Sequence, residues 1–231
     1  LPDGPAAVLA EALRLRDEEI AASAALAARG ADLVTDLCPA SPTLLTHCNT
    51  GGLAAVTGGT ALGVVVELHR RQALAGVIAS ETRPLLQGAR LTTWELARAG
   101  VPHHLAVDSA GPFLMARGQV DAVILGADRI CANGDVVNKI GSYGHALGAR
   151  AAGIPFIVVA PESTIDRDTR SGDAVEIEDR GAGEVTTIAS VAVAPPRTAA
   201  VNPAFDVTPA ALVTAIVTDQ RTIRPDRGER P

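Results

Sequence analysis

Three short stretches of this 231-residue chain bring together residues able to move protons or hold anions. The first is Thr46-His47-Cys48-Asn49-Thr50-Gly51-Gly52, a thiol followed by small residues able to open a helix. The start of a helix exposes backbone N–H groups and about half a unit of positive charge, which suits an anion and would lower a neighbouring thiol from its usual pKa of ~8.5. On this reading Cys48 gives or takes a proton. On the other, Cys48 is a small buried hydrophobe and Gly51-Gly52 merely lets a helix pack close to a sheet. His47 reads as a structural histidine bonded to backbone.

The second stretch is Glu81-Thr82-Arg83-Pro84 with Gln87-Gly88. Glu81 and Arg83 could hold a polyol hydroxyl and a phosphate, or pair with each other to fix a loop. Gln87 offers both a donor and an acceptor, which suits a sugar hydroxyl. The third is Gly126-Ala127-Asp128-Arg129, followed by Asn133-Gly134-Asp135 and Asn138-Lys139-Ile140-Gly141. Asp128 stands where a strand should end beside Gly-rich turns, a catalytic placement or a capping one. Lys139 is a compact cation just ahead of a helix start, a phosphate ligand or a solvated surface lysine.

The elements that must position these groups follow from the apolar pattern. Ala6 to Leu33 reads as one or two helices ending near Gly30. Strands are expected at Thr43–Thr46, Gly76–Ala79, His104–Val107, Ala122–Leu125 and Phe156–Ala160, and helices at Leu53–Gln72, Thr92–Ala99, Gly111–Arg117 and Ser142–Ala152. The alternation predicts an α/β fold, a Rossmann-like open parallel sheet flanked by helices and preceded by an N-terminal helical segment. Its strands lack polar alternation, as strands buried on both faces should. Thr208-Pro209 reads as the start of a final helix, and the tail from Arg221 as disordered. The expected division is a helical lead-in over 1–40, a Rossmann-like catalytic domain over 41–220 and a disordered tail over 221–231. In such a sheet a ligand binds beyond the carboxyl ends of the strands, where all three stretches fall.

Composition narrows the function. Hydrophobic residues make up 47% and aromatics 2%, so Ala, Val, Leu and Ile must fill the core. The net charge of −6 is spread without a basic stripe, which argues against nucleic acid. Three cysteines and five histidines show no metal-ligand spacing, so no metal is expected. No apolar run reaches the ~20 residues of a membrane span and no secretory signal is evident, so no membrane is expected and the cytoplasm is the expected compartment. No cofactor is called for.

With these segments in view, the chain resembles the methylthioribose-1-phosphate isomerase family, part of a superfamily shared with the regulatory subunits of initiation factor 2B and with ribose-1,5-bisphosphate isomerases. The resemblance rests on Thr46-His47-Cys48-Asn49-Thr50-Gly51, Glu81 to Thr92, Gly126-Ala127-Asp128-Arg129-Ile130, Asn138-Lys139-Ile140-Gly141, Pro161 to Asp166 and Asn202 to Pro209, in order along the chain. It implies an aldose–ketose isomerase of methionine salvage, with Asp128 as proton donor and Cys48 as catalytic thiol. It also implies that Gln87, Asn138 and Lys139 bind a small-molecule sugar phosphate, with Arg83, Asn49, Thr50 and Gly51 beside them, and that the protein is a homodimer. Related sugar 1-phosphates, or a non-catalytic regulatory role, are the alternatives. Two positions depart from the family's usual pattern: Ser80 stands where an Asp is common, and Gly58-Gly59 lack an aromatic between them. The family's additional N-terminal domain, with an Arg-Gly-Ala motif, has no counterpart before Thr46, so the chain is expected to be a fragment of a longer polypeptide or a shortened homologue.

Overall fold

The computed structural model describes residues 4–55 and 57–231. The chain begins with one helix, α1 (Gly4–Leu37), which runs straight through Gly30 instead of ending there. Gly30 is a contact point and not a terminator. A Cβ at that position would lie 2.3 Å from Val64 Cγ2 on the next helix, so only glycine permits this approach.

That next helix, α2 (Ala61–Arg70), is half the length expected over Leu53–Gln72, of which Val56 lies outside the described residues. Gly58 and Gly59 take φ of +63° and +79°, which no right-handed helix accommodates. The carbonyl of Thr50 lies 2.1 Å from where a Cβ on Gly59 would be, and Thr60 N donates to it at 2.8 Å. The apolar run therefore folds back on itself before the helix begins.

In chain order the strands are β1 (Thr43–Thr46), β2 (Gly76–Ser80), β3 (His103–Ala106), β4 (Ala122–Leu125), β5 (Arg129–Cys131), β6 (Val136–Lys139), β7 (Phe156–Val159), β8 (Ile165–Asp166), β9 (Thr187–Ile188), β10 (Val191–Ala192), β11 (Phe205–Thr208), β12 (Ala215–Val217) and β13 (Thr222–Ile223). The remaining helices are α3 (Thr93–Arg98), α4 (Ala110–Ala116), α5 (Ser142–Ala152) and the short α6 (Gly183–Thr186). A single π-helical turn, Gly88–Thr92, leads directly into α3.

Seven strands form the main sheet in the order β13-β12-β7-β4-β1-β2-β3, parallel except for β13. From β1 the chain winds outward through β2 and β3, then returns to β4 on the other side of β1. The order reverses between β1 and β4, and a crevice at that switch is the characteristic ligand site of open α/β sheets. Both faces are covered. Leu26 and Val34 of α1, Val64 and Leu68 of α2 and Leu96 of α3 pack on one side, and Met115 of α4 with Ala146 and Ala149 of α5 on the other. Phe156 is the one aromatic among the described buried core residues, so small aliphatic side chains carry the packing.

A second, four-stranded sheet, β11-β6-β5-β8, projects from the end of β4. Its β5–β6 hairpin turns at Gly134 with φ +90°. The Asp135 carboxylate accepts N–H bonds from Gly172 (3.0 Å) and Ala210 (2.9 Å), so Asn133-Gly134-Asp135 are architectural. Thr208, expected to cap a helix, instead ends β11, which pairs antiparallel with β6 from Phe205↔Lys139 to Thr208↔Val136. Only a single 3-10 turn, Ala210–Leu212, follows before β12. The tail expected to be disordered carries β13, paired to β12 through Val217↔Thr222 and Ile216↔Ile223.

Candidate active site at the strand-order switch

Cys48 lies two residues beyond β1 and Asp128 three beyond β4, so each strand delivers one of them to the switch point. Lys139 ends β6, and its position is fixed by pairing with Phe205. The charge of Lys139 reaches both of the others. Lys139 lowers the pKa of both Cys48 and Asp128, and Asp128 raises that of Cys48. Burial is the largest influence on each and drives both upward. Asp128 is exposed to solvent at the mouth of an open cavity, and the protein packed around it is what penalises the charged form. The thiol lowering expected for Cys48 is thus corrected. No helix starts at Gly51, so no dipole favours the thiolate, and burial favours the thiol.

Lys139 is 9% exposed, donates to the carbonyl of Ala204 at 3.1 Å and lies 4.4 Å from the centre of the Phe205 ring. Asn138 Nδ2 donates to Ser142 Oγ (2.8 Å), which donates to Lys139 O (2.7 Å), so the two neighbours are locked to the start of α5. The first N–H groups of that helix are already taken. Asp206 accepts from Gly141 N at 2.7 Å and from Tyr143 N at 3.1 Å, and its burial pushes its carboxyl up to about 6.

Cys48 itself has a left-handed backbone, φ +61°. Its N–H donates to Thr82 Oγ1 at 2.9 Å, and its carbonyl accepts the Thr92 hydroxyl at 2.5 Å. Thr82, also left-handed at φ +66°, and Arg83 donate their N–H groups to the two oxygens of Asp108 at 2.7 and 2.6 Å. Asn49 Nδ2 donates to Glu95 Oε1 (3.0 Å) and Thr92 Oγ1 (3.2 Å). The Thr92 proton is committed to Cys48 O and a carboxylate has none to give, so both partners can only accept and the Asn49 amide must present its NH2 to them. Its Oδ1 is left buried without a partner, as is Oε1 of Gln87.

The expected site residues are otherwise distributed as follows. Arg83 makes no pair with Glu81; its guanidinium donates to the carbonyls of Pro84 (3.0 Å) and Val185 (3.0 Å). Thr50 Oγ1 accepts from Leu62 N at 3.2 Å. Gly51 packs against the Glu95 carboxylate, which accepts the N–H of Gly52 at 2.7 Å and of Leu53 at 3.3 Å. His47 is buried and structural, bonded to Ile140 O at 2.8 Å and to Ser80 Oγ, the position that departs from the family pattern. Asp108 and Glu95 carry no local pattern, and Thr92 and Asp206 fall within stretches that carry the resemblance but have no role assigned by it. Each acts on a partner more than 25 residues away.

A cavity of about 470 Å³ adjoins Asp128, lined by Leu26, Ala54, Ala55, Ala127 and Pro161, with Glu19 as its charged group. A more open one of about 540 Å³ contains Asp128 itself, with Arg129 paired to Asp166. A cleft of about 560 Å³ between α1, α2 and α3 holds none of the expected site residues. Among the described residues no group of three His, Cys, Asp or Glu is arranged to hold a metal, and no helix is long and apolar enough to cross a membrane.

The model of the Initiation factor 2 subunit family matches residues 3–225. A probable bifunctional methylthioribose-1-phosphate isomerase/methylthioribulose-1-phosphate dehydratase of Nocardia farcinica is 55% identical over 224 residues, covering 96% of this chain and 41% of that protein. The crystal structure of 5-methylthioribose 1-phosphate isomerase from Pyrococcus horikoshii superposes with a TM-score of 0.89 at 43% identity, over 94% of this chain and 60% of that one. The structure of the translation initiation factor eIF-2B, subunit delta, from A. fulgidus gives 0.88 at 41%, over 95% and 63%. The chain spans less than two thirds of the length of each.

Proposed function

The chain belongs to the Initiation factor 2 subunit family, and on that premise we propose that it isomerises 5-methylthioribose 1-phosphate to 5-methylthioribulose 1-phosphate. The observation that carries the reading is the convergence of Cys48, Asp128 and Lys139 from the ends of β1, β4 and β6 on the strand-order switch, where Lys139 opposes the rise of the other two. Relatives named for this isomerase, at 55% and 43% identity, support it.

The chemistry follows from the substrate class. A phosphate on the anomeric carbon prevents the spontaneous ring opening of a free aldose. The enzyme must protonate the ring oxygen and then carry hydrogen from C2 to C1. Asp128, raised by burial, is the acid for the first step, a role that contributes ~10²–10⁴-fold in general. Cys48, held as a thiol by burial, serves C1 and C2 of the opened sugar. Lys139 meets the phosphate, with Asn138, Gln87 and the Asn49–Gly51 loop around the sugar. Arg83 takes part only by exchanging its carbonyl partners for the ligand.

The cavity beside Asp128 favours an uncharged group at C5. Its walls are alanine, leucine and proline with the hydroxyls of Ser23, Thr60 and Thr164, its charged group is the carboxylate of Glu19, and a second phosphate would meet no cation there. The arginines of the more open cavity, Arg129 and Arg167, are already paired with Asp166 and Glu162. Methylthio and deoxy sugars therefore lead over ribose 1,5-bisphosphate. A homodimer is carried over from the resemblance alone, and the cytoplasm from the sequence reading.

The likeness to the eIF-2B delta structure favours a second reading, a regulatory subunit that binds a sugar phosphate without turning it over. Calorimetry with methylthioribose 1-phosphate beside a turnover assay separates the two. Turnover that is abolished by Asp128→Asn and by Cys48→Ser supports the enzyme; binding with no turnover in the unaltered full-length protein supports the subunit. In deuterated water, solvent deuterium at C1 marks proton transfer and its absence a hydride shift.

A further inference from the structure

Cys48 is restrained beyond what a loop residue needs. Its left-handed backbone is held from one side by Thr82 and from the other by Thr92, while Glu95 on the same helical segment holds the residues that follow it. Thr92 closes the π-turn Gly88–Thr92 and grips the Cys48 carbonyl at 2.5 Å. Glu95, in the first turn of α3, takes three donors of the same loop: Asn49 Nδ2 at 3.0 Å, Gly52 N at 2.7 Å and Leu53 N at 3.3 Å. Gly51 is small enough to let that carboxylate in, since a Cβ there would lie 2.3 Å from Glu95 Oε1. A π-turn shifts the phase of the helix after it, and here it brings Thr92 and Glu95 to the same loop.

Left-handed backbone at a non-glycine residue is unfavourable and persists only where its surroundings over-determine it. We propose that Glu95 and Thr92 are positioning residues that aim the Cys48 thiol, acting through Asn49 and the peptide groups of residues 48, 52 and 53. The carboxylate fills the N–H cradle that the sequence pattern reserves for an external anion, so the phosphate is left to Lys139. The part of this inference that concerns turnover rests on the isomerase reading; the part that concerns the thiol does not.

Two pairs of variants and two readouts test it in the full-length protein. Glu95→Gln keeps the shape of the side chain but must turn an NH2 toward one of three donors, whereas Glu95→Asp keeps the charge and shortens the reach. Thr92→Val removes the hydroxyl and Thr92→Ser restores it. With methylthioribose 1-phosphate, Glu95→Gln and Thr92→Val are expected to lower kcat by about 10–100-fold with KM within about twofold, the signature of a misaimed group, and Thr92→Ser to recover most of the loss. Independently of turnover, the rate of Cys48 alkylation by iodoacetamide is followed with Cys48→Ser as the blank. It is expected to change at least about threefold in Glu95→Gln and Thr92→Val and to return toward the starting rate in Thr92→Ser. If the unaltered protein has no turnover, the isomerase reading fails and the alkylation rates alone decide the positioning role. Folded variants with unchanged kcat, or unchanged alkylation where no turnover exists, overturn the proposal, as does a Thr92→Ser protein no better than Thr92→Val.

Discussion

Lys139 exerts two separable influences at the residue scale. It is the cation proposed to meet the phosphate, and it also opposes the burial that raises Asp128 and Cys48. Removing it should therefore do more than weaken binding. In Lys139→Ala, KM for the sugar phosphate is expected to rise by about 100-fold or more, as loss of a charge-assisted contact entails. With the cation gone, nothing offsets burial and the Asp128 carboxyl moves up further. An acid works in its protonated form, so kcat falls as pH rises through its pKa, and the variant's limb must lie at higher pH than that of the unaltered protein. A kcat–pH profile with the limb unmoved, or moved to lower pH, would separate Lys139 from Asp128. The bond from Lys139 to Ala204 O makes a lesser change informative too. Lys139→Arg keeps the charge but brings a planar fork longer than the space beside Phe205 was shaped for, and is expected to keep the limb in place while still raising KM.

Elements differ in how far the sequence specifies them, and the differences have physical causes. β1, β4 and α5 fall on the residues that periodicity assigns, because each is short, bounded by Gly or Pro and buried among its neighbours. The placement of Cys48 and Asp128 just beyond those strands was legible for the same reason, whereas the roles proposed for them rest on the resemblance. The helix expected over Leu53–Gln72 was not, because apolar composition is blind to the left-handed φ that Gly58 and Gly59 adopt. Thr208-Pro209 carries a helix-start pattern that is real locally, but pairing with β6 across 65 or more residues overrides it. Glu95, Thr92 and Asp108 stayed hidden because their partners are joined to them only by the fold. Glycines make this testable. A Cβ on Gly88 would lie 1.7 Å from the backbone oxygen of Ser80 and 3.0 Å from Thr82 Oγ1, and backbone cannot give way cheaply. Gly88→Ala is expected to lose at least about 2 kcal/mol in urea unfolding and to disturb the Thr82 bond to Cys48. Gly144, on the exposed side of α5 with nothing within 4 Å, is the contrast: Gly144→Ala is expected to gain about 0.4–1 kcal/mol.

At the scale of the whole molecule, the face beneath the site is where acid should act. His145 of α5 is 2% exposed, neither ring nitrogen has a partner, and its ring meets that of His47 edge-on at 5.0 Å. Burial, with the charge of His47 adding to it, lowers the His145 pKa to about 3, and burial lowers His47 as well. Below about pH 6.5 the unfolded chain takes up protons at these histidines that the folded chain refuses. The contribution of each is complete above that pH and drains away as pH falls, for His145 down to about 3. Asp206 works in the opposite sense. Its folded pKa of about 6 exceeds the ordinary carboxyl value, so between roughly pH 4 and 6 the folded chain holds a proton the unfolded one has lost. Its contribution is present at the acid end of that window and vanishes as pH rises through 6. With two histidines against one carboxyl, Tm should fall between pH 6.5 and 4. In His145→Leu, which leaves an apolar side chain beside Gly111 and Leu45, the fall should be shallower. In Asp206→Asn, with the opposing carboxyl removed, it should be steeper. Parallel Tm–pH curves for all three proteins would show that the histidine pair and the α5 cap do not titrate against each other, and that the face supporting the site draws its acid response from other groups.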